Sequence, residues 1–284
     1  MMLAANARMY AVTPTVKAAW QELFAWVAQN AGVPLAYLDH AAPAPLEALW
    51  ERGDLGAAFM CGFPLASAAV KQQALAAPIP SPPRYGGKPQ YCTDLVVRAD
   101  SAFVRLSDTF GGRIGWTVEH SQSGYRAVRN HLALRDARYA EWVGPLVTPR
   151  RVIDALLAGE IEVGPLDSYV HDLLRRHEPE TAAKLRVIES TAMTPIPLLV
   201  ASPGVADDAV ARLRNALCPA MPRPNWPRRS TCCCCCVSLR SMWRITTCCW
   251  IGRERRIFPS PRVTECRRHD DRIDTLCAHR LGLA

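Results

Sequence analysis

Ser121, Gln122, Ser123 and Gly124 stand where a β-favouring run, residues 113–118, gives way to a helical one, residues 125–134. A strand that ends in small hydroxyl residues and opens a helix makes a seat for an anion. Unpaired backbone N–H groups, the positive end of the helix dipole and the hydroxyls converge on one spot. The same residues also suit a plain helix cap, in which a serine hydroxyl binds a first-turn amide and nothing else. Asp167 carries the same double reading, because it lies between a short strand and a helix and its carboxylate suits a cap or a cleft. Tyr10 reads either as core or as a hydroxyl in that cleft. Tyr91 and Thr93 lie where the chain leaves its first half, so hinge packing and ligand contact both stand open. Cys61 and Gly62 end an apolar strand, and Cys61 reads as a small buried residue rather than a reactive thiol. His120 has neither a partner serine nor metal spacing and stands as a cleft-lining group.

Enzymatic signatures are missing from the sequence. It holds no Gly-x-Ser-x-Gly elbow, no P-loop, no Gly-x-Gly-x-x-Gly opening a helix and no His-Glu-x-x-His. Binding without covalent chemistry, and without a cofactor or metal, is the expectation.

The elements that must position these residues follow from periodicity and punctuation. Residues 8–12 read as a first strand that includes Tyr10. Thr13-Pro14 then supplies a cap and a first-turn proline, and Val16, Trp20, Leu23 and Val27 fall on one helical face until Gly32 and Pro34 stop it. A strand at 35–38, a helix at 46–52 and a buried strand at 55–61 continue the alternation. Strand–helix–strand–helix–strand with short links predicts a parallel, doubly wound sheet. After a proline- and glycine-rich loop at 77–89, a second unit follows. It has strands at 91–98, 161–164 and 185–189, and helices at 150–158 and 168–177. A strand at 197–201 and an amphipathic helix at 207–217 return to the first unit. In open α/β sheets ligands sit beyond the C-terminal ends of strands, and those ends carry Tyr10, Cys61-Gly62, His120 to Ser123, and Asp167.

Charge divides the chain sharply. Of 34 basic and 26 acidic residues, 21 of each lie in residues 1–217; the remaining 13 arginines and 5 acids lie in 218–284 and carry the whole net +8. The neutral body gives no reason to expect nucleic acid as a partner. Ten of the twelve cysteines also fall after residue 217, five of them adjacent at 232–236, without metal-ligand spacing. The abrupt turn to Arg, Cys, Pro and Trp predicts an out-of-frame, disordered tail over 218–284. No apolar run reaches transmembrane length, so membrane insertion is not expected. The N-terminus lacks a signal-peptide pattern, so the chain as written is expected in the cytoplasm unless a leader precedes it.

Residues 8–14, 58–64, 91–98, 110–116, 121–124 and 155–168 occur together in an order and spacing that resemble one family. This is the phosphate/phosphite/phosphonate substrate-binding family of ABC transporters, and the resemblance covers about residues 7–217. It implies an α/β, two-lobe, type II periplasmic-binding-protein fold, each lobe a doubly wound sheet, with two interlobe crossovers. Lobe one would comprise residues 7–92 and 195–217, and lobe two residues 93–194. It implies a small phosphonate- or phosphate-like anion as ligand, a permease and an ATPase as partners on export, and a periplasmic location. Ser121, Gln122, Ser123 and Gly124 match the run that cradles the phosphonate oxygens, with an amide where the family has a middle hydroxyl. Asp167 matches a residue that holds a ligand amine, and Tyr10 the first-strand aromatic. A cytoplasmic enzyme or sensor of the same fold, for example in thiamine-pyrimidine metabolism, is the alternative.

Overall fold

The computed structural model describes residues 2–218. The tail expected to be out of frame lies, from residue 219 on, outside the described residues.

The first strand is β1 (Leu3–Asn6), buried throughout. Asn6 ends it: its side-chain oxygen accepts from the Arg8 N–H at 2.8 Å and its amide donates to the Leu38 carbonyl at 2.8 Å. Residues 8–12, expected as the first strand, are instead the connection to the first helix, and Tyr10 lies in a turn. Leu-Ala-Ala-Asn has little β-propensity of its own. It is a strand because its small side chains fit between two neighbouring strands. Helix α1 (Pro14–Ala31) follows the predicted face, with Val16, Trp20, Leu23 and Val27 buried. The Thr13 hydroxyl caps it by accepting from the Val16 N–H, and Gly32 closes it at φ 60°, a left-handed conformation that suits glycine.

Strand β2 (Leu35–Tyr37), helix α2 (Leu46–Trp50), strand β3 (Leu55–Met60), helix α3 (Gly62–Ser67) and strand β4 (Gln73–Ala76) come next. Strand β4 is absent from the sequence reading, since four residues of Gln-Ala-Leu-Ala carry too short an alternation to register. The expected strand at 91–98 is two, β5 (Gln90–Tyr91) and β6 (Thr93–Arg98), broken at Cys92. The second half contains β7 (Arg113–Gly115), a π-helical turn (Gln122–Arg126) running into α4 (Ala127–Ala133), β8 (Glu141–Val143), α5 (Pro149–Leu157), β9 (Gly164–Asp167), α6 (Ser168–His177), α7 (Pro179–Ala182) and β10 (Leu185–Ser190). The chain returns through β11 (Thr194–Pro195) and β12 (Leu198–Ala201) to α8 (Asp207–Leu217).

Five strands form the first sheet in the order β2-β1-β3-β12-β4. Strand β1 is parallel to β2 and β3, as the alternation of strands and helices requires, and the returning β12 enters antiparallel to β3 and β4. The second sheet has β6 antiparallel between β10 and β9. A parallel bridge between Ile114 and Val163 leads on to the parallel pair β7 and β8. The two segments that run between the sheets pair with each other as β5 and β11. One core runs from α1, α8 and the first sheet on to α5, α6 and Val96 and Leu166 of the second sheet, while Leu95, Val97, Ile114, Val128 and Val163 centre a smaller one.

Candidate functional site

Between the two sheets lies a cleft of about 460 Å³. The ends of β1, β3 and β9 and the segment after β7 all reach it, as expected for open α/β sheets. Of the residues singled out in the sequence, Cys61, His120, Ser121, Ser123, Gly124 and Asp167 line it. Tyr10, Gly62, Tyr91, Thr93 and Gln122 are not part of the wall, and most of them support it from behind.

The Ser121 turn is both cap and cleft wall. The Ser121 Oγ accepts from the Gly124 N–H at 2.9 Å, which leaves its own O–H able to donate. The helix begins with i to i+5 bonding over Gln122–Arg126, a π-turn of the kind that often marks functional sites. Thr93 holds this turn in place, its hydroxyl donating to the Ser123 carbonyl at 2.8 Å. The Tyr91 hydroxyl approaches the Ser123 side chain but makes no well-formed hydrogen bond. Gln122 presents its backbone N–H to the Cys61 thiol rather than its amide to the cleft; burial pushes that thiol up to about 12, only partly offset by the Gln122 N–H. Cys61 is therefore an unreactive wall residue.

Asp167 caps α6, accepting from Tyr169 N–H at 2.8 Å and Val170 N–H at 3.2 Å. Its other oxygen accepts from the Tyr10 hydroxyl at 3.4 Å. Tyr10 is wholly buried, edge-on to Phe59 and Tyr169, and burial beside Asp167 pushes its own hydroxyl well up. Burial also raises the Asp167 carboxyl, to about 7, although the Val170 N–H and the Tyr10 O–H pull it down. A carboxyl whose folded value lies above its unfolded one binds its proton more tightly in the folded protein. The stability it confers is complete below about pH 4 and is lost as pH rises through about 7. Asp167→Asn keeps a cap oxygen and removes the charge. We expect it to gain roughly 2–3 kcal/mol over the wild type on going from pH 5 to pH 8, read by urea unfolding at the two pH values.

Sequence reasoning missed several wall residues. Thr117 is 5% exposed, and its hydroxyl, packed against Gly124, has no hydrogen-bond partner. Glu47 and Trp50 on α2 meet His120 across the cleft: the Glu47 carboxylate lies 2.7 Å from His120 Nδ1, and the Trp50 ring stands edge-on to the imidazole. His120 Nε2 is left without a partner. The Arg126 guanidinium, from the turn after Ser121, covers the Phe63 ring of α3 at 4.4 Å. These pairings join residues far apart in sequence, and only Thr148-Pro149, which caps α5 at the rim, carries a local signal.

Three basic residues line the cleft, and each is engaged. Lys17 pairs with Asp39 and Arg150 with Glu178, while Arg8 donates to the carbonyls of Ala44 and His40. The charges of these three side chains are thus matched within the protein. Among the described residues, no group of three His, Cys, Asp or Glu side chains could hold a metal ion.

Residues 11–225 match the family described as ABC transporter, phosphonate, periplasmic substrate-binding protein. The chain belongs to this family. Its members bind solutes and are not enzymes, so the alternative of an enzyme of this fold is not favoured. No curated protein sequence matches the chain. Among solved structures it is similar to a binding-protein component of an ABC phosphonate transporter from Pseudomonas aeruginosa, at 17% identity over 76% of this chain and 74% of that one, with a TM-score of 0.58. It is similar to a Prochlorococcus marinus protein in complex with methylphosphonate, at 14% identity over 77% and 84% of the two chains, with a TM-score of 0.61. A Xanthomonas citri protein bound to chloride ion matches at 18% identity over 85% and 88%, with a TM-score of 0.55. These likenesses show the fold, that of a type II periplasmic binding protein. Among the described residues of this phosphonate-family protein, no helix is long and apolar enough to cross a membrane.

Proposed function

We propose that the protein binds a small oxyanion, phosphonate- or phosphate-like, in the cleft between its sheets and delivers it in the periplasm to an ABC permease and its ATPase. The observation that carries this reading is the Ser121–Gly124 turn, which opens a helix at the cleft wall with Ser121 still able to donate its O–H. The Ser123 and Thr117 hydroxyls lie beside it. Hydrogen bonds from neutral dipoles to an anion are short and strong, and a helix N-terminus adds its partial positive charge. Asp167, beside the turn on the same lobe through β9 and Thr93, donates a hydrogen bond to the anion when protonated and repels it when ionised.

Residues 7–92 with 195–217 would form one lobe and residues 93–194 the other, hinged at the β5–β11 pair. Binding would close the lobes by hinge motion, with no covalent chemistry. The contacts of His120 with Glu47 and Trp50 and of Arg126 with Phe63 would hold the closed state.

A thermal-shift screen of phosphate, phosphite, methylphosphonate and a sulfonate tests this. A ligand at a hundred times its Kd stabilises the folded state by about 2.7 kcal/mol, which corresponds to about 5–10 °C for a body of this size. No shift with any of the four anions would sink the proposal.

A further inference from the structure

The cleft is far larger than a bare oxyanion. Its volume of about 460 Å³ lies in the range of sites for organic molecules of drug size. Methylphosphonate, by contrast, fills the space of only a few waters at about 30 Å³ each. The wall is also divided. At one end the Ser121 turn brings Ser121 and Ser123 into the wall, with the Ser121 O–H able to donate. Toward α2 and the turn after β1, the wall includes Met9, Val12 and Leu46, all half-buried and apolar, and Trp50, among the already paired Arg8, Lys17 and Asp39. Since the basic residues of the wall are engaged elsewhere, a highly charged ligand finds no free countercharge among the described residues, whereas an apolar substituent finds a surface to cover.

We propose that the ligand is an organic phosphonate whose substituent is a ring or branched hydrocarbon, with its head at Ser121 and Ser123 and its body against Met9, Val12 and Leu46. This rests on the anion-binding reading and adds the class of substituent to it. Burying on the order of 100 Å² of apolar ring surface corresponds to tens-fold in affinity.

Calorimetric titration of the full chain with inorganic phosphate, methylphosphonate and phenylphosphonate tests it. Phenylphosphonate is expected to bind at least about 10-fold more tightly than methylphosphonate. In a Leu46→Asn variant, shown to be folded by circular dichroism, that ratio should fall toward one. Equal affinities, or tighter binding of methylphosphonate, overturn the inference and leave the anion site standing. Binding of none of the three overturns both. The comparison of ligands on the wild-type protein decides the matter even if the variant does not fold.

Discussion

Replacing Gly124 by alanine is expected to abolish phosphonate-induced stabilisation and to lower the melting temperature of the unliganded protein. The reason is space rather than backbone conformation. A Cβ on Gly124 would lie 1.9 Å from the Thr117 hydroxyl oxygen and 2.9 Å from the Thr117 Cβ. Thr117 is buried and branched at Cβ, so it cannot swing away. The π-turn must therefore move, and with it the Ser121 and Ser123 hydroxyls and the amides they order. Overpacking of this kind costs about 1–3 kcal/mol, or about 3–10 °C for a domain of this size. Loss of the ligand seat should weaken binding at least about 10-fold, because displacements of about 1 Å are enough to break hydrogen-bond geometry. Gly53→Ala is the control: nothing lies within 4 Å of its added Cβ. Melting curves with and without methylphosphonate for the two variants separate a general glycine effect from this contact.

The second large effect is expected away from the cleft, where the chain passes between the sheets. Asp94 is fully buried on β6 and accepts from both Arg84 and His171, the latter at 2.9 Å, and from the Ser190 hydroxyl at 2.8 Å. Arg84, from the proline-rich loop, also bonds Asp172 at 2.9 Å and the Ser168 carbonyl. Tyr85 donates to Asp172 at 2.6 Å. This network ties the loop before β5 to β6 and α6. Burial alone would push the Asp94 carboxyl up, but the His171 hydrogen bond and the Arg84 charge outweigh it and hold it down at about 2. Arg84→Met leaves that carboxylate buried without its cation, which costs about 3–5 kcal/mol. Arg98→Met, which removes an exposed pair with Asp100, should cost about 0–1 kcal/mol.

The pH dependence of the two buried carboxylates has opposite sign. Asp94 has a depressed folded value, so its contribution is present above about pH 4 and is lost as pH falls through about 2. Asp167 has a raised one, so its contribution declines between about pH 4 and pH 7. From these two groups, stability measured by urea unfolding should peak near pH 4. Arg84→Met should flatten the acid limb, and Asp167→Asn the limb toward neutrality.

What could be read from the sequence was local. The face of α1, its Thr13 cap and Gly32 stop, and the helix starts at Pro149 and Ser168 all follow from spacing and punctuation. So does the Ser121 turn, because a strand ending in hydroxyls before a helix is a short-range pattern. The seat itself depends on more. Whether Tyr10, Tyr91 and Thr93 face a cleft or stand behind it is a matter of depth, which residue type does not encode. By propensity the aromatic and β-branched residues at 8–12 outweigh the alanines of β1 and favour a strand through Tyr10, while packing between β2 and β3 decides the reverse. The role of Thr117 lies in one tertiary contact with Gly124, and that of Glu47 and Trp50 in pairing with His120 across some seventy residues. None of these leaves a periodic trace.

The account turns on whether the Ser121 turn holds an anion, and calorimetric titration of methylphosphonate into the wild-type protein and a folded Ser121→Ala/Ser123→Ala variant measures that directly. One ligand should bind per chain in the wild type. Removing two hydroxyl donors to a charged group, each worth about 1.5–3 kcal/mol, should weaken binding at least about 100-fold. Unchanged affinity in the double variant would contradict the assignment of the site.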